Sequence, residues 1–137
     1  MDGNPYVAIL RDCYTQWHET RGGSVDVWMG IADDAFTLRS MADGRPGAEF
    51  TAACNCKEDL GRYLSGLTGG WEMEYYRIDE YISQGDTVIA LGGTAWTNKA
   101  TGKRGETLKA DVWKFRDGKA ISFLEFYDSC VLIEAAT

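Results

Sequence analysis

The sequence has few of the residues from which metal sites and disulfide frameworks are built. It contains one histidine, His18, and four cysteines, of which only Cys54 and Cys56 lie close together. One intervening residue is a poor spacing for zinc, whose paired ligands are usually about two to four residues apart. Glycine-rich phosphate loops of the dinucleotide-binding type are also absent. We therefore expect no metal and no organic cofactor, and reduced thiols in a cytoplasmic protein.

Basic residues are outnumbered by acidic ones, 14 to 21, which gives a formal net charge of −7. Phosphate backbones and anionic lipid headgroups repel such a molecule, so we expect neither nucleic acid nor a membrane surface as a partner. No apolar run approaches the ~20 residues of a transmembrane helix. The first residues, Met1 to Pro5, hold no basic patch followed by an apolar run, so no signal peptide is predicted.

Aromatic residues are plentiful: five Trp, seven Tyr and five Phe in 137 residues, against two Pro. A chain of this length corresponds to one domain, and we predict that it spans residues 1–137. It is long enough to bury a core without disulfides or metals. The aromatic residues are expected to form that core or to line a pocket or an interface.

Apolar residues at three- and four-residue spacing predict three helices in the first half of the chain. Asn4 followed by Pro5 is typical of a helix start, and Ser24 is placed to cap a short second helix. Asn55 with Glu58 three residues later forms a capping-box pattern that predicts the start of the third helix. We expect a long N-terminal helix and two shorter ones, with their apolar positions within residues 6–17, 27–31 and 60–67.

Strand-like runs separated by glycine-containing turns follow the third helix. Helices segregated from an antiparallel sheet indicate the α+β class. A long, strongly curved sheet wrapped over helices leaves a cone with an open end, a place where small apolar ligands bind. The predicted strands are a short one at 36–41 and four long ones, Trp71–Ser83, Thr87–Asn98, Glu106–Phe115 and Lys119–Asp128; Val131–Ile133 is predicted to pack as a tail.

Several motifs along the chain together resemble one superfamily. They are Ala32-Asp33-Asp34-Ala35, Gln84-Gly85-Asp86 with Val88 after it, the run from Trp113 to Ile121, and the closing Phe126-Tyr127-Asp128. In order and spacing they are similar to the nuclear-transport-factor-like superfamily, the cone fold of ketosteroid isomerase and SnoaL-like polyketide cyclases, over nearly the whole chain. That superfamily includes isomerases, dehydratases, epoxide hydrolases, cyclases and non-catalytic association modules, so the fold alone does not name an activity.

The resemblance to ketosteroid isomerase implies an oxyanion hole made of a tyrosine on the first helix and a protonated aspartate on the sheet. Tyr14 and Asp111 fall at these two places. The general base of that family corresponds to Arg39 or Ser40, and neither is a carboxylate. The resemblance therefore implies the oxyanion-binding pair without the steroid-type base.

The epoxide-hydrolase branch of the superfamily fits the chain less well. Its arginine and first aspartate correspond to Gly92 and Thr94, and only its second aspartate has a counterpart, Glu125. The resemblance therefore excludes its water-activating set.

The register of the last hairpin decides which residues share the cavity with Asp111. A two-residue turn at Asp117-Gly118 pairs Asp111 with Leu124. A three-residue loop with Gly118 left-handed instead places Asp111 on the face of Glu125 and its alternate neighbours Phe123 and Tyr127. The family resemblance favours the second arrangement.

Two carboxylates in an aromatic cavity are expected to repel each other and to resist desolvation, which leaves one of them a neutral acid. A tyrosine hydroxyl beside that acid completes an oxyanion-binding pair, and a histidine or the other carboxylate serves as base. The candidate catalytic residues are Tyr14, His18, Asp111 and Glu125, and the candidate pocket residues are Trp17, Trp28, Phe36, Arg39, Tyr63, Trp96, Trp113, Phe123 and Tyr127.

Each of these polar residues also has a structural interpretation. Tyr14 suits a core tyrosine, and His18 suits a solvent-facing residue at the negative end of a helix dipole. A strand-centre carboxylate such as Asp111 is costly to bury unless it is paired, and Arg39 and Lys109 are the available cations.

Two functions are compatible with these patterns. One is a cofactor-independent acid–base enzyme, of isomerase, dehydratase or cyclase type, acting on a small hydrophobic, oxygenated molecule. The other is a ligand-binding or association module with the same fold. In both cases we predict a homodimer, because the convex face of the sheet carries too many apolar side chains for a monomer. These are Ile89, Leu91, Ala110, Val112, Leu124 and Phe126.

Overall fold

A computed structural model describes residues 3–137; Met1 and Asp2, on which the signal-peptide prediction partly rests, lie outside the described residues. Within that part of the chain are four α-helices, a single 3-10 turn and five strands. In chain order they are α1 Pro5–Glu19, α2 Val25–Ile31, β1 Ala32–Ser40, the 3-10 turn Glu49–Thr51, α3 Lys57–Gly70, β2 Trp71–Gln84, β3 Thr87–Asn98, β4 Arg104–Arg116, β5 Lys119–Tyr127 and α4 Ser129–Ala136.

All three predicted helices are present, but their starts differ in capping. Ser24 occupies the N-cap of α2, as predicted, but its side chain makes no capping hydrogen bond. The Asn4 side chain accepts from the Tyr6 backbone N–H at 2.9 Å, so the predicted cap of α1 is confirmed. The predicted box of Asn55 and Glu58 is wrong by one residue. Cys56 occupies the N-cap of α3, and the carboxylate three residues later, Asp59, accepts from the Asn55 N–H at 2.9 Å.

The end of the chain differs from the prediction. The segment predicted as a packed tail belongs to a fourth helix, α4. The Asp128 side chain caps it by accepting from the backbone N–H groups of Cys130 and Val131. Gly105 on β4 allows α4 to approach, since a Cβ there would lie 3.0 Å from the Val131 side chain. The helix therefore closes over one end of the sheet.

The five strands form one sheet in the order β1-β5-β4-β3-β2. β1 runs parallel to β5 and starts at Ala32, directly after α2 and earlier than predicted, whereas the other neighbours pair antiparallel. Two register shifts in β2, between Met73 and Tyr75 and between Ile78 and Glu80, bend the long hairpin. A Cβ at Gly92 would overlap the Arg77 carbonyl, so the bend requires glycine there.

The last hairpin combines features of both predicted turns. Asp117 and Gly118 both have positive φ, and Arg116 pairs with Lys119, which makes the turn a two-residue one. The register then shifts by one residue at Ile121 on β5, so Asp111 pairs with Glu125. The favoured face is therefore correct, but a bulge within the strand produces it instead of a longer loop.

The concave face of the sheet and the helices enclose an aromatic core. Trp28 of α2 stacks on Trp113 of β4 with ring centroids 5.4 Å apart, and Trp17 of α1 meets Trp28 edge-on. The predicted α+β cone is confirmed. The first helix is not distinctly the longest, however, because α1 has 15 residues and α3 has 14.

The convex face is aliphatic and partly exposed. Phe126 is 42% exposed and Leu108 is 76% exposed. Among residues 3–137, no helix is both long and apolar enough to cross a bilayer.

Candidate functional site

A cavity with about 120 Å³ of free volume lies between the helices and the concave face of the sheet. Aromatic rings form much of its wall, and the odd-numbered residues of β4 contribute its polar groups because alternate side chains of a strand share a face. Val131 and Leu132 of α4 close one side of it. The aromatic lining residues are Tyr14, Trp28, Phe36, Phe50, Tyr63, Trp71, Tyr76, Trp96, Trp113, Phe123 and Tyr127.

Asp111 is the most deeply buried charged residue of this wall, with no exposed surface. Its Oδ2 accepts hydrogen bonds from the Tyr14 and Tyr76 hydroxyls, each at 2.6 Å. The Trp113 indole N–H donates to the Tyr14 oxygen at 2.8 Å. Because Trp113 occupies a lone pair of that oxygen, the Tyr14 proton is directed to Asp111. The carboxylate therefore has the hydrogen-bonding pattern of an acceptor.

Lys109 joins Asp111 to the second buried carboxylate, Glu125. Its Nζ donates to Glu125 Oε2 at 2.7 Å and lies 3.2 Å from Asp111 Oδ1. The Tyr63 hydroxyl donates to the other Glu125 oxygen, Oε1, at 2.7 Å. The Lys109 ammonium also lies over the Tyr76 ring, 5.1 Å from its centroid. These contacts link α1, α3 and strands β2, β4 and β5 through one buried network.

The two oxygens of Asp111 differ in their partners. Oδ2 accepts two phenolic hydrogen bonds, whereas Oδ1 is buried and accepts none within the described residues. Lys109 Nζ is at ion-pair distance from Oδ1 but lacks hydrogen-bond geometry. Oδ1 thus keeps a lone pair for another donor. In Glu125, by contrast, both oxygens already accept.

The ionisation of the network follows from burial and neighbouring charge. Burial, followed by the charge of Asp111, raises the pKa of Tyr14 and Tyr76 well above 10.0. Burial and Glu125 do the same to the pKa of Tyr63. Burial alone would lower the pKa of Lys109, but attraction to the two carboxylates outweighs it and raises that pKa. Neutral tyrosines therefore surround one ammonium group.

Three predicted site residues lie outside the cavity lining. His18 is half-buried, and its Nδ1 accepts the Tyr76 backbone N–H at 3.2 Å, which ties α1 to the edge of β2. Trp17 is buried behind the wall, edge-on to Trp28. Arg39 is exposed, and its guanidinium donates to backbone carbonyls of its own strand and the following loop. Its alternating position on β1 directs it away from the cavity.

The other predicted pocket residues line the cavity. Tyr127 is also anchored at its hydroxyl, which bonds to Ser40 Oγ at 2.6 Å and accepts the Ala42 N–H at 3.2 Å. Ser40, at a position corresponding to the family's base, is thus occupied by a structural hydrogen bond.

Sequence reasoning missed Tyr76. Simple alternation from Trp71 and Met73 would place Tyr75 inside and Tyr76 outside. The register shift between Met73 and Tyr75 reverses this order, so Tyr76 is buried and Tyr75 faces outward. Two adjacent tyrosines at 75 and 76 indicated that one of them faces the cavity. Only the position of the bulge decides which one it is.

Metal-binding potential is limited in the part of the chain that the structure describes. No three His, Cys, Asp or Glu side chains lie close enough together there to hold an ion. The prediction of no cofactor stays a prediction.

Comparison with solved structures identifies the fold. An NTF2-like protein from Burkholderia thailandensis superposes with a TM-score of 0.78 at 23% identity, covering 95% of each chain. The fold is that of the NTF2-like proteins. The fold resemblance that the motifs predicted is therefore confirmed. No family model and no curated protein sequence matches the chain.

Two further structures with the NTF2-like fold are described with small molecules. TerC, co-crystallised with polyporic acid, superposes with a TM-score of 0.78 at 17% identity and covers 97% of this chain and 98% of its own. A protein with a ketosteroid isomerase-like fold from Catenulispora acidiphila, in complex with trimethylamine, gives 0.71 at 13% identity and covers 89% of each chain. At these identities the likeness shows the fold alone.

Proposed function

We propose that the cavity binds a small, ring-sized molecule and transfers a proton on it without a cofactor. The observation that carries this proposal is Asp111 in the wall of an aromatic cavity, whose buried Oδ1 accepts no hydrogen bond and has the Lys109 ammonium 3.2 Å away. A carboxylate with an unused lone pair in the wall of a cavity can serve as a general base. The neighbours with polyporic acid and trimethylamine support a small-molecule site in this fold.

Cavity volume limits the size of the ligand. The free volume of about 120 Å³ is close to the ~150 Å³ of an engineered apolar cavity that binds benzene. A single substituted ring is therefore the ligand that we propose for the site. The hydrophobic, oxygenated substrate expected from the sequence is thus narrowed to a single ring.

Lys109 complements the base. In the proposed step, a C–H bond next to a carbonyl breaks, its proton moves to Asp111 Oδ1, and its electron pair forms the enolate. The Lys109 ammonium, 3.2 Å from Oδ1, is the nearest cation to that developing charge. Returning the proton to another carbon completes an isomerisation. In this proposal Lys109 stabilises the enolate in place of the expected pair of Tyr14 and protonated Asp111, because Tyr14 donates to Asp111 itself.

Proton exchange on small ketones tests this function. Incubating the protein with cyclohexanone and cyclohex-2-enone in D₂O and following deuterium uptake by NMR reports C–H ionisation directly. We expect faster uptake than in buffer, and a loss of about 100-fold or more in Asp111→Asn, a typical contribution of a general base. Glu72→Gln, an equal charge change at an exposed residue, is the control. Unchanged uptake in Asp111→Asn would refute the role of Asp111.

A non-catalytic ligand-binding module is the second candidate. It is favoured by Ser40, which lies at a family base position but is bound to Tyr127, and by the donors that already surround both carboxylates. Ring-sized ligands that bind without any deuterium uptake would support this candidate over the enzyme.

The homodimer remains our proposal. Its support is the convex face, where Phe126 is 42% exposed and the neighbouring aliphatic side chains are only partly buried. Sedimentation of the intact chain at micromolar concentration should give twice the monomer mass, and Phe126→Lys should shift it toward monomer. A wild-type protein that sediments as a monomer would contradict the proposal.

A further inference from the structure

We infer that the cavity selects a ligand with a single positive charge, a protonated or quaternary amine on a ring-sized body. This inference rests on the proposal that the cavity is the ligand site, but it does not require turnover. It follows from the charges and ring faces that the fold brings together.

Among the charged side chains of the wall, acidic groups outnumber basic ones. Asp111 and Glu125 supply two carboxylates, and Lys109 is the one cationic side chain among the described lining residues. Tyrosine hydroxyls donate to both carboxylates and Lys109 donates to Glu125, so each of these groups has the hydrogen-bonding pattern of an acceptor. With tyrosines neutral and lysine charged, the buried lining carries a formal charge of −1.

Nothing else within the described part of the chain balances that charge inside the cavity. The predicted pocket cation, Arg39, lies outside and is exposed. The single histidine, His18, also lies outside the lining, at the edge of β2. A buried excess charge is costly in an apolar environment, and a cationic ligand is the partner that would reduce this cost.

The apolar part of the wall favours the same ligand. Aromatic ring faces carry partial negative charge and attract cations, Trp most strongly. The fold already uses this attraction, since the Lys109 ammonium sits over the rings of Tyr76, Phe123 and Tyr127 at 5.1–5.9 Å. Trp96 lines the same cavity and has no cation over it in the described residues, whereas one face of Trp28 is covered by Trp113.

Asp111 is the carboxylate with fewer compensating contacts at one of its oxygens. Its Oδ1 is buried, accepts no hydrogen bond and has beside it only the Lys109 ammonium, which Glu125 shares, so a cationic ligand in the cavity would reduce the cost of burying this charge. In the proposed proton transfer, the proton stays within the site. With a neutral substrate the site keeps a total charge of −1 throughout, whereas with a cationic substrate the total is zero.

Two isosteric probes separate charge from shape. Benzylammonium and benzyl alcohol have the same ring and the same number of non-hydrogen atoms, and both can donate to Oδ1. Their affinities for the intact protein at neutral pH are measured by tryptophan fluorescence and calorimetry. We expect benzylammonium to bind at least about tenfold more tightly, with benzoate the weakest of the three.

Charge variants locate the effect. Asp111→Asn and Glu125→Gln each bring the lining to zero charge, so each should reduce the preference for benzylammonium by at least about tenfold while leaving benzyl alcohol within about twofold. Glu72→Gln makes the same change at an exposed position and should leave the preference intact. If Asp111→Asn does not fold, Glu125→Gln provides the same change of charge in the cavity.

Three outcomes would overturn the inference: equal affinity for the two probes, a preference that persists in both cavity variants, or no binding of either probe at millimolar concentration. The first two would leave the cavity as a ligand site. The deuterium-uptake assay is separate, so failure of the charge preference and failure of the catalytic proposal give different results.

Discussion

Strand β4 carries two ion networks, each with one cation between two carboxylates, in opposite surroundings. Near its start, Arg104 lies between Glu74 and Glu106, and Tyr75 donates to Glu106. Five residues further on, Lys109 lies between Asp111 and Glu125, and three tyrosines donate to those carboxylates. The side chains of the first network are 47–52% exposed, and those of the second are at most 8% exposed.

The difference between these networks is one of solvent. Water screens the exposed charges, so each ion pair there contributes about 0–1 kcal/mol. In the buried network no water replaces a lost partner, and breaking such a pair typically costs about 3–5 kcal/mol. The comparison shows that similar contacts differ in their effect on stability according to their exposure to water. The first is a solvated surface, whereas the second is a costly arrangement that suggests a functional reason for keeping it.

Replacing the central cation should separate the two networks most strongly. Lys109→Met leaves two buried carboxylates without a cation and should lower the free energy of unfolding by about 3–5 kcal/mol at neutral pH. Arg104→Met should lower it much less, because water screens the charges of Arg104 and its partners. Urea denaturation of the two variants measures this contrast. Equal effects of the two replacements would contradict it.

Acidification sharpens the Lys109→Met result. Protonation of a carboxyl relieves the repulsion between the unpaired anions. The loss relative to wild type should therefore become smaller as the pH falls. A loss that is constant between neutral and mildly acidic pH would point to packing as its cause.

Alkaline pH should also destabilise the fold through the buried tyrosines. The pKa of Tyr14, Tyr63 and Tyr76 is raised in the folded state above the ordinary 10.0. Their contribution to stability is thus complete below pH ~10 and is lost as pH rises above it, by about 1.4 kcal/mol per pH unit for each group. Urea denaturation from pH 9 upward, with tyrosinate absorbance, measures the loss. Tyr63→Phe should make it less steep; an identical slope would contradict the assignment.

Adjacent tyrosines on β2 provide the smallest test of the comparison. Tyr76→Phe removes a buried donor to Asp111 and should lower the free energy of unfolding by about 1–3 kcal/mol. Tyr75→Phe removes the corresponding exposed donor to Glu106 and should change stability by no more than about 0.5 kcal/mol. Thermal or urea unfolding of the two variants measures the difference. The order of the two effects is the decisive result.

Much of the fold was predictable because hydrophobic period and turn residues are local signals. The α+β order and the shared face of Lys109 and Asp111 on β4 follow from such patterns. Tyr14 was placed by resemblance to a family motif. Its donation to Asp111, however, depends on the Trp113 indole N–H, a contact between distant parts of the chain that no spacing reveals.

The rest of the site depends on bulges. Tyr76 and Tyr75 exchange faces because of one extra residue near Glu74, and the sequence has no glycine there to mark it. Arg39 was a candidate pocket residue because of the family alignment, but alternation along β1 places it outside. Irregular residues in regular strands are therefore what limited the prediction.

The bulge at Ile121 decides which side chains of β5 face the cavity. Between the turn and Glu125, β5 has one residue more than an unbroken ladder requires. If β5 instead paired with β4 in an unbroken ladder from the turn onward, with no residue removed, every residue from 122 onward would exchange faces. Leu124 would then face the cavity and Glu125 the convex surface. The bulge at Ile121, outside the site itself, thus keeps both carboxylates in the cavity, and a register slip that removed it would put a carboxylate in the proposed dimer interface.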